Sequence, residues 1–492
     1  YTPSSTLQRM ELLKTGYMGT LSLGWDNYLF LELTGRQERS STLKDQSFFY
    51  PSANLSFLFT QAFHMPSWWN YGKLRLSYGI VGNAPETYTA NIVYEQGSDN
   101  GFTWNTIPSS WGNADIRPEK KYEYEIGLES KFLNNRLGID ISYYNNRVKD
   151  QILSTPQPST SGVKNVLMNV GEVANRGWDI SISATPILTR DFRWDLTANY
   201  GVYKNKVVKL ADGVPYLEIL NSGGSGIKIQ AVEGQPMGDI YAQVPQVNEN
   251  GEYLVSDKGL YLNQTELQKV GNINPAGVGG LFNSFSYKNV FLDFSIDFRI
   301  GGDVINEMNQ YATAVGLTPE SLKYRDTEHG GLSYYYPGDN NSSGIPVQVD
   351  PSTGAGPNGE IIYHDGIILP GVVASTGERN TRIIPAGYYY NTTYNWGTEA
   401  EQLTYRHSVF DNSYVKLREL TIGYQFPEKM ISKLGLGRLS VSVFGRNLFY
   451  FYKALKNYDA ESSVGTSWAN QATVGSSTTA TRSFGVSLRA SF

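Results

Sequence analysis

The sequence predicts an all-β fold: an antiparallel transmembrane β-barrel segment of about 13 strands, part of a larger barrel, with long extracellular loops. Three observations carry that prediction. The last nine residues alternate strictly, with Phe484, Val486, Leu488, Ala490 and Phe492 on one face and Gly485, Ser487, Arg489 and Ser491 on the other, and Phe492 supplies a terminal aromatic. The same period of two recurs along the chain. The links between such segments alternate between short and long, as in bacterial barrels with short periplasmic turns and long outer loops.

A single alternating strand is ambiguous, because a soluble sheet also has one buried and one wet face. Recurrence narrows the choice. The apolar sets include Leu74, Leu76, Tyr78, Ile80; Tyr122, Tyr124, Ile126, Leu128; Phe192, Trp194, Leu196, Ala198, Tyr200; Leu292, Phe294, Ile296, Phe298, Ile300; and Leu439, Val441, Val443. Their intervening neighbours are polar: Lys73, Arg75, Ser77; Glu123, Glu125, Glu129; Arg193, Asp195, Thr197, Asn199; Asp293, Ser295, Asp297, Arg299. Such residues suit a watery lumen, whereas a sandwich would cover its apolar side with a second sheet.

Composition agrees. The 492 residues contain 50 Gly, 35 Tyr and 13% aromatics, which suits many turns, many strands and aromatic girdles. No run approaches the roughly 18–20 apolar residues of a membrane-spanning helix, so a spanning element must be β. With no cysteine, neither disulfides nor thiolate metal sites are available. A net charge of −5 with mixed signs gives no basic stripe for nucleic acid.

Taken in order, strands are expected at 7–24 and 28–38 around the turn-forming pair Asp26-Asn27, then 50–63 and 71–83 across a short link at 64–70. A long link, 84–118, leads to 119–132 and 137–150, joined through 134–136. After 151–170 come 171–185 and 192–207; after 208–276 come 277–288 and 290–303, joined at Lys288-Asn289. The longest link, 304–407, precedes 408–425 and 437–449, and 450–477 precedes 478–492. The long set is expected outside the cell. Thirteen strands is an odd count where single-chain bacterial barrels have even ones, so the chain is expected to be the C-terminal part of a longer barrel, its edges unable to pair with each other. Loops as long as 208–276 and 304–407 are expected to be functional, ordered units over the barrel mouth.

Here the motifs resemble a known family, the SusC/RagA-type TonB-dependent outer-membrane transporters of Bacteroidetes. The resemblance rests on Phe49-Tyr50-Pro51-Ser52-Ala53, Leu74-Arg75-Leu76-Ser77-Tyr78-Gly79 with Gly82-Asn83, and Arg117-Pro118-Glu119-Lys120 leading to Glu125-Ile126-Gly127-Leu128. It continues through Asn169-Val170-Gly171, Asn175-Arg176-Gly177-Trp178, Gly271-Asn272-Ile273-Asn274-Pro275, Gly279-Gly280-Leu281-Phe282-Asn283 and Gly301-Gly302-Asp303-Val304. It ends with Asn412-Ser413-Tyr414-Val415-Lys416-Leu417-Arg418-Glu419-Leu420, Gly423-Tyr424 and Gly445-Arg446-Asn447-Leu448. The order of these pieces, rather than any one, makes the match specific. The family pattern has an N-terminal plug, a TonB-engaging box and first strands without counterpart here. The resemblance implies a bacterial outer-membrane protein performing energy-coupled uptake of a bulky nutrient, such as oligosaccharides or oligopeptides. It also implies three partners: a SusD-like surface lipoprotein as a lid, the plug of the same transporter, and TonB acting through the absent N-terminal region. Membrane lipid would surround the barrel.

The chain offers no catalytic constellation and implies no cofactor. Its four histidines lack H-E-x-x-H spacing, and His329-Gly330-Gly331 has no nucleophile elbow to serve, so it reads as a turn. Asn248, Asn250, Gly251 and Glu252 resemble the start of a calcium loop but lack the full pattern, and a solvated hairpin turn is preferred; Asp339-Asn340-Asn341 reads the same way. Candidate ligand or partner contacts are loop aromatics: Trp104, Trp111, Tyr334, Tyr335, Tyr336, Tyr388, Tyr389, Tyr390 and Trp396, with Tyr394 and Trp468 nearby in kind. The competing reading is that these rings pack the loops on one another. Trp178, Trp194 and Phe492 are expected at the membrane interface. Arg75, Glu123, Glu125, Asp293, Asp297 and Arg299 are expected to face the lumen and hold a plug. Passive porin and outer-membrane adhesin or scaffold remain the alternatives to active import.

Overall fold

The computed structural model describes residues 10–491, apart from 45–46, 92–93, 100–101, 109, 157–159, 161, 223–225, 339–343, 396–403, 463–466 and 476–479. One antiparallel sheet of 13 strands runs through it in chain order. The strands are β1 Lys14–Trp25, β2 Leu29–Ser40, β3 Ser47–Phe57, β4 Trp69–Asn83, β5 Glu119–Phe132, β6 Leu137–Lys149 and β7 Glu172–Leu188. They continue with β8 Phe192–Lys209, β9 Pro275–Tyr287, β10 Val290–Gly301, β11 Tyr414–Gln425, β12 Arg438–Lys453 and β13 Ser483–Ser491. β1 pairs with β2 and β13 with β12; the two form opposite edges of the sheet and are not joined to each other among the described residues.

Register gathers the alternating sets onto common faces. Leu74, Leu76 and Tyr78 lie opposite Leu128, Ile126 and Tyr124. Ile182 lies opposite Ala198, Ala198 opposite Leu281, and Leu281 opposite Ile296. Ile422, Val443 and Val486 form a further row. Slipping any strand by one residue would turn its apolar set to the other side. Leu21 (52%), Leu76 (38%), Ile126 (47%) and Leu488 (69%) are exposed, and Leu292, Phe294, Ile296 and Phe298 are only half-buried. The remaining sheets of the described residues have two to four strands each. Leaving a large apolar side chain in water costs about 1.5–3 kcal/mol, and a bilayer removes that cost. Among the described residues no helix is long and apolar enough to cross a membrane.

Short turns follow local chemistry. Asp26 and Asn27 both adopt positive φ, 49° and 56°, as the tight hairpin between β1 and β2 requires. Several boundaries differ from the sequence expectation. The segment 50–63 stops as a strand at Phe57, and Phe59–Ala62 forms one helical turn whose Phe59 ring packs on Trp69. The segment 408–425 divides, because the Asp411 carboxylate accepts from the amide and hydroxyl of Ser413 and folds the chain between Val409–Asp411 and β11. The first strand begins at Lys14 and the last at Ser483, whereas β12 runs on to Lys453 across two irregularities in its pairing with β11. Phe492 and residues 7–9 lie outside the described residues.

The long links all leave the same end and are folded. The link after β8 builds a sheet from Tyr216–Ser222, Ile227–Val232, Asp239–Ala242 and Gln268–Asn272. That after β10 contributes helices Glu307–Ala314 and Ala386–Tyr394 and a second four-stranded sheet containing Leu332–Tyr335 and Tyr363–Ile367. They interlock: Leu254–Val255 pairs with Val372–Val373, and Ile227, Ile229 and Ile240 share one core with Ile305, Tyr405, Val409, Ala469 and Ala472. The principal hydrophobic core therefore lies in this cap, not in the wall.

Candidate functional site

The face of the wall opposite the apolar band is polar, and register places all six expected lumen residues on it. Arg75 donates to both oxygens of Asp140, at 2.6 and 3.1 Å, and to Ser142 Oγ at 3.2 Å. Its guanidinium lies over Gly127, directly opposite on β5, where a Cβ would sit only 2.8 Å from it. Glu123 accepts from Asn146 Nδ2 at 3.1 Å and pairs with Lys121. Glu125 shares a basin of about 500 Å³ with Glu123, Tyr144, Asn175, Asp179 and Tyr203. Asp293 accepts from Ser284 Oγ at 2.6 Å. Asp297 accepts from Arg418, and Arg299 donates to the carbonyls of Gly301 and Ile273, both at 3.1 Å, so it fixes the outer end of β10. Arg75, Asp140, Asp179, Asn199 and Asp297 line one groove of about 590 Å³. Opposite charges on neighbouring strands thus tie the wall together while leaving amides, hydroxyls and carboxylates turned inward, a surface able to bind polar groups but without a nucleophile–base pair.

A latch joins wall to cap. Lys416, 1% exposed, donates to Glu461 Oε2 at 2.6 Å, and Arg418 forks onto both Glu461 oxygens at 2.8 and 2.6 Å. Burial alone would raise the Glu461 carboxyl, but the Arg418 and Lys416 bonds outweigh it and hold it down to about 2. Asn412 Nδ2 donates to the Ala460 carbonyl, and Asn457 to Asn309 Oδ1 on helix Glu307–Ala314. Lys416 and Arg418 stand in a motif visible in the sequence. Their partner lies more than forty residues on, in a link without periodicity, so the latch itself had no signal.

The loop aromatics divide. Tyr334 (1%), Tyr336 (6%) and Tyr390 (4%) are buried in the cap. Tyr334 stacks on Tyr363 and meets Tyr336 edge-on, both at 5.5 Å. Tyr390 donates to the carbonyl of Glu320 at 2.9 Å, and burial pushes its phenol up to about 12. Tyr335 is half-buried in the same sheet as Tyr334, whereas Tyr388 and Tyr389 pack against Leu260, Ile367 and Ile384. Trp104 is exposed on the hairpin Glu95–Asp99/Phe102–Thr106, and Trp111 is half-buried against Tyr94. Trp396 and Asp339-Asn340-Asn341 lie outside the described residues. Trp178 and Trp194 are on the outward face, Trp194 donating to Asn283 Oδ1 at 3.1 Å. The cap's exposed apolar residues include Val315 (44%) and Leu317 (78%), just past helix Glu307–Ala314, and Leu322 (51%), at the end of the helical turn Pro319–Leu322, where neither alternation nor aromatic content marked them.

Asn248 Oδ1 accepts from the amides of Asn250 and Glu252, closing the hairpin on itself. Among the described residues no group of three or more His, Asp or Glu is placed to hold a metal.

Residues 13–245 match the family of TonB dependent receptor-like β-barrels. The chain is 24% identical to TonB-dependent receptor P3 of Formosa agariphila, over 91% of this chain and 42% of that protein. It is 30% identical to TonB-dependent receptor SusC of Bacteroides thetaiotaomicron, over 46% of this chain and 24% of that one. In structure it is similar to the RagAB peptide transporter, with a TM-score of 0.63 and 19% identity over 90% of this chain and 44% of that chain. The chain spans less than half the length of the curated relatives it matches. With an apolar outward band and a polar face opposite it, the sheet is an antiparallel β-barrel wall of the bacterial outer membrane, similar over residues 13–245 to TonB-dependent receptors.

Proposed function

We propose that this chain is the C-terminal barrel portion of an energy-coupled importer of SusC type, which takes up bulky oligosaccharides or oligopeptides together with a SusD-like surface lipoprotein. The observation that carries the reading is the pairing of a polar inner wall with a cap of folded links, latched to that wall through Glu461 of the 450–477 link. A passive pore has little use for such a cap, whereas an importer that must admit and then enclose its cargo needs one. Arg75, Glu123, Glu125 and Asp293 would meet a plug supplied by sequence beyond this chain, through which TonB would act. The segments 208–276 and 304–407 would form the docking face and the upper wall of the chamber. Within them the exposed Val315, Leu317 and Leu322 offer apolar area of the kind interfaces bury.

Two measurements on the full-length transporter test this. Uptake of the nutrient should stop when the proton-motive force is collapsed or TonB is removed; uptake that continues would mean a passive pore. Leu317→Asp with Leu322→Asp should abolish co-purification of the surface lipoprotein while barrel assembly is retained, and unchanged capture would remove that docking face.

A further inference from the structure

On the outward face of β5–β8 each strand passes from apolar to basic residues toward the long-link end. Along β8 the outward series runs Trp194, Leu196, Ala198, Tyr200, Val202 and then Lys204 and Lys206. On β7 Ile182, Ile180 and Trp178 give way to Arg176; on β6 Ile139, Ile141 and Tyr143 lead to Arg147 and Lys149; on β5 Leu128, Ile126, Tyr124 and Tyr122 lead to Lys120. A row of rings marks the change, with Tyr124, Tyr143 and Trp178 at successive centroid distances of 6.5 and 4.8 Å. Arg176 lies two residues, about 7 Å, beyond Trp178 toward the long-link end. This is the order of an aromatic belt followed by a headgroup layer.

The cations above that belt are arranged unfavourably for an isolated protein. Arg176 is directly opposite Lys204, and Lys120 directly opposite Lys149. Like charges facing across a strand pair are destabilising. Glu172 neutralises Arg147 at 3.0 Å, but Arg176, Lys204 and Lys206 are exposed and have no ion-pair partner among the described residues. Arg176 on β7 and Lys204 and Lys206 on β8, adjacent and without a neutralising carboxylate among the described residues, call for an anion that spans the two strands.

We infer that this row binds the phosphorylated headgroups of glycolipid in the outer leaflet, with acyl chains lying on the apolar band below Trp178. Charge complementarity selects the phosphates, and continuity with the lipid-facing band selects a membrane lipid over a soluble anion. The inference rests on the orientation in which the long links lie outside the cell, and it is independent of what the transporter imports.

The test is native mass spectrometry of the full-length transporter in detergent, titrated with a diphosphorylated diglucosamine glycolipid (lipid A) and with its dephosphorylated counterpart. Arg176→Gln with Lys204→Gln and Lys206→Gln should weaken binding of the phosphorylated lipid by about tenfold or more. The dephosphorylated lipid should bind the unaltered protein as weakly as the phosphorylated lipid binds the variant. Lys429→Gln with Lys433→Gln, at the opposite rim, should change nothing. Equal binding by the triple variant, full competition by inorganic phosphate, or loss of binding in the opposite-rim variant would each overturn the assignment. Nutrient uptake by the triple variant should be normal, so headgroup binding and import fail separately.

Discussion

Tyr334 lies inside the cap because every side of its ring has a partner: Tyr363 stacks on it, Tyr336 meets its edge, and its hydroxyl donates to Asp365 Oδ1 at 3.1 Å. Burial, with the Asp365 charge adding to it, keeps the phenol protonated as a donor. Tyr334→Ala should therefore cost about 3–5 kcal/mol of cap stability, and Tyr334→Phe about 1–3 kcal/mol by taking the donor from Asp365. Limited proteolysis of the full-length protein should cut the Ala variant within 304–407 faster than the Phe variant; an unchanged pattern would show that the ring is not a packing element. Acid should loosen the cap in two stages. His407, stacked on Tyr394 at 4.3 Å, has its pKa lowered by burial and then by Arg406 to about 4, so it favours the folded cap least when protonated and its contribution fades as pH falls from 6.5 toward 4. Glu461 is depressed, so the stability it adds is full above the ordinary glutamate range and is lost as pH falls toward about 2. Glu461→Gln should abolish the second stage alone, as read by Trp fluorescence against pH.

The strands were legible because a period of two, repeated in segments of nine to eighteen residues, leaves little choice of face. Failures came where side chains override the period. Asp411 and Ser413 bend a segment whose alternation reads straight through, and Phe59 turns the end of β3 into a helical turn against Trp69. Inside the cap the strands have two to seven residues, too few to show a period, so composition revealed aromatic rings but not which would be buried. Glycines on the inner face have a legible cause only in the structure: at Gly177 a Cβ would stand 2.5 Å from the Tyr144 hydroxyl. Gly177→Val should reduce the fraction of heat-modifiable, folded barrel on gels, and Tyr144→Ala in the same chain should restore only part of it, because the Val202 carbonyl oxygen would also stand 2.6 Å from the new Cβ. No rescue would mean that the glycine is needed for another reason.

At the scale of the molecule, the wall is, among the described residues, an open sheet whose edge strands β1 and β13 each pair on one side only, a condition lipid does not tolerate. The wall could be read from alternation and the cap's existence from link length. The latch could not, since Lys416 and Glu461 meet only after the 450–477 link folds back on β11. The central claim is that the two faces of this wall meet different solvents. Because the chain has no cysteine, it can be tested with single introduced thiols in the full-length protein in membranes. Val443→Cys, Val486→Cys and Leu488→Cys should react with a lipid-soluble maleimide and resist a charged one. Ser442→Cys and Ser487→Cys, one residue away, should show the reverse. Uniform labelling by the charged reagent at all five positions, or inversion of the pattern, would contradict a lipid-facing apolar band and a watery inner wall.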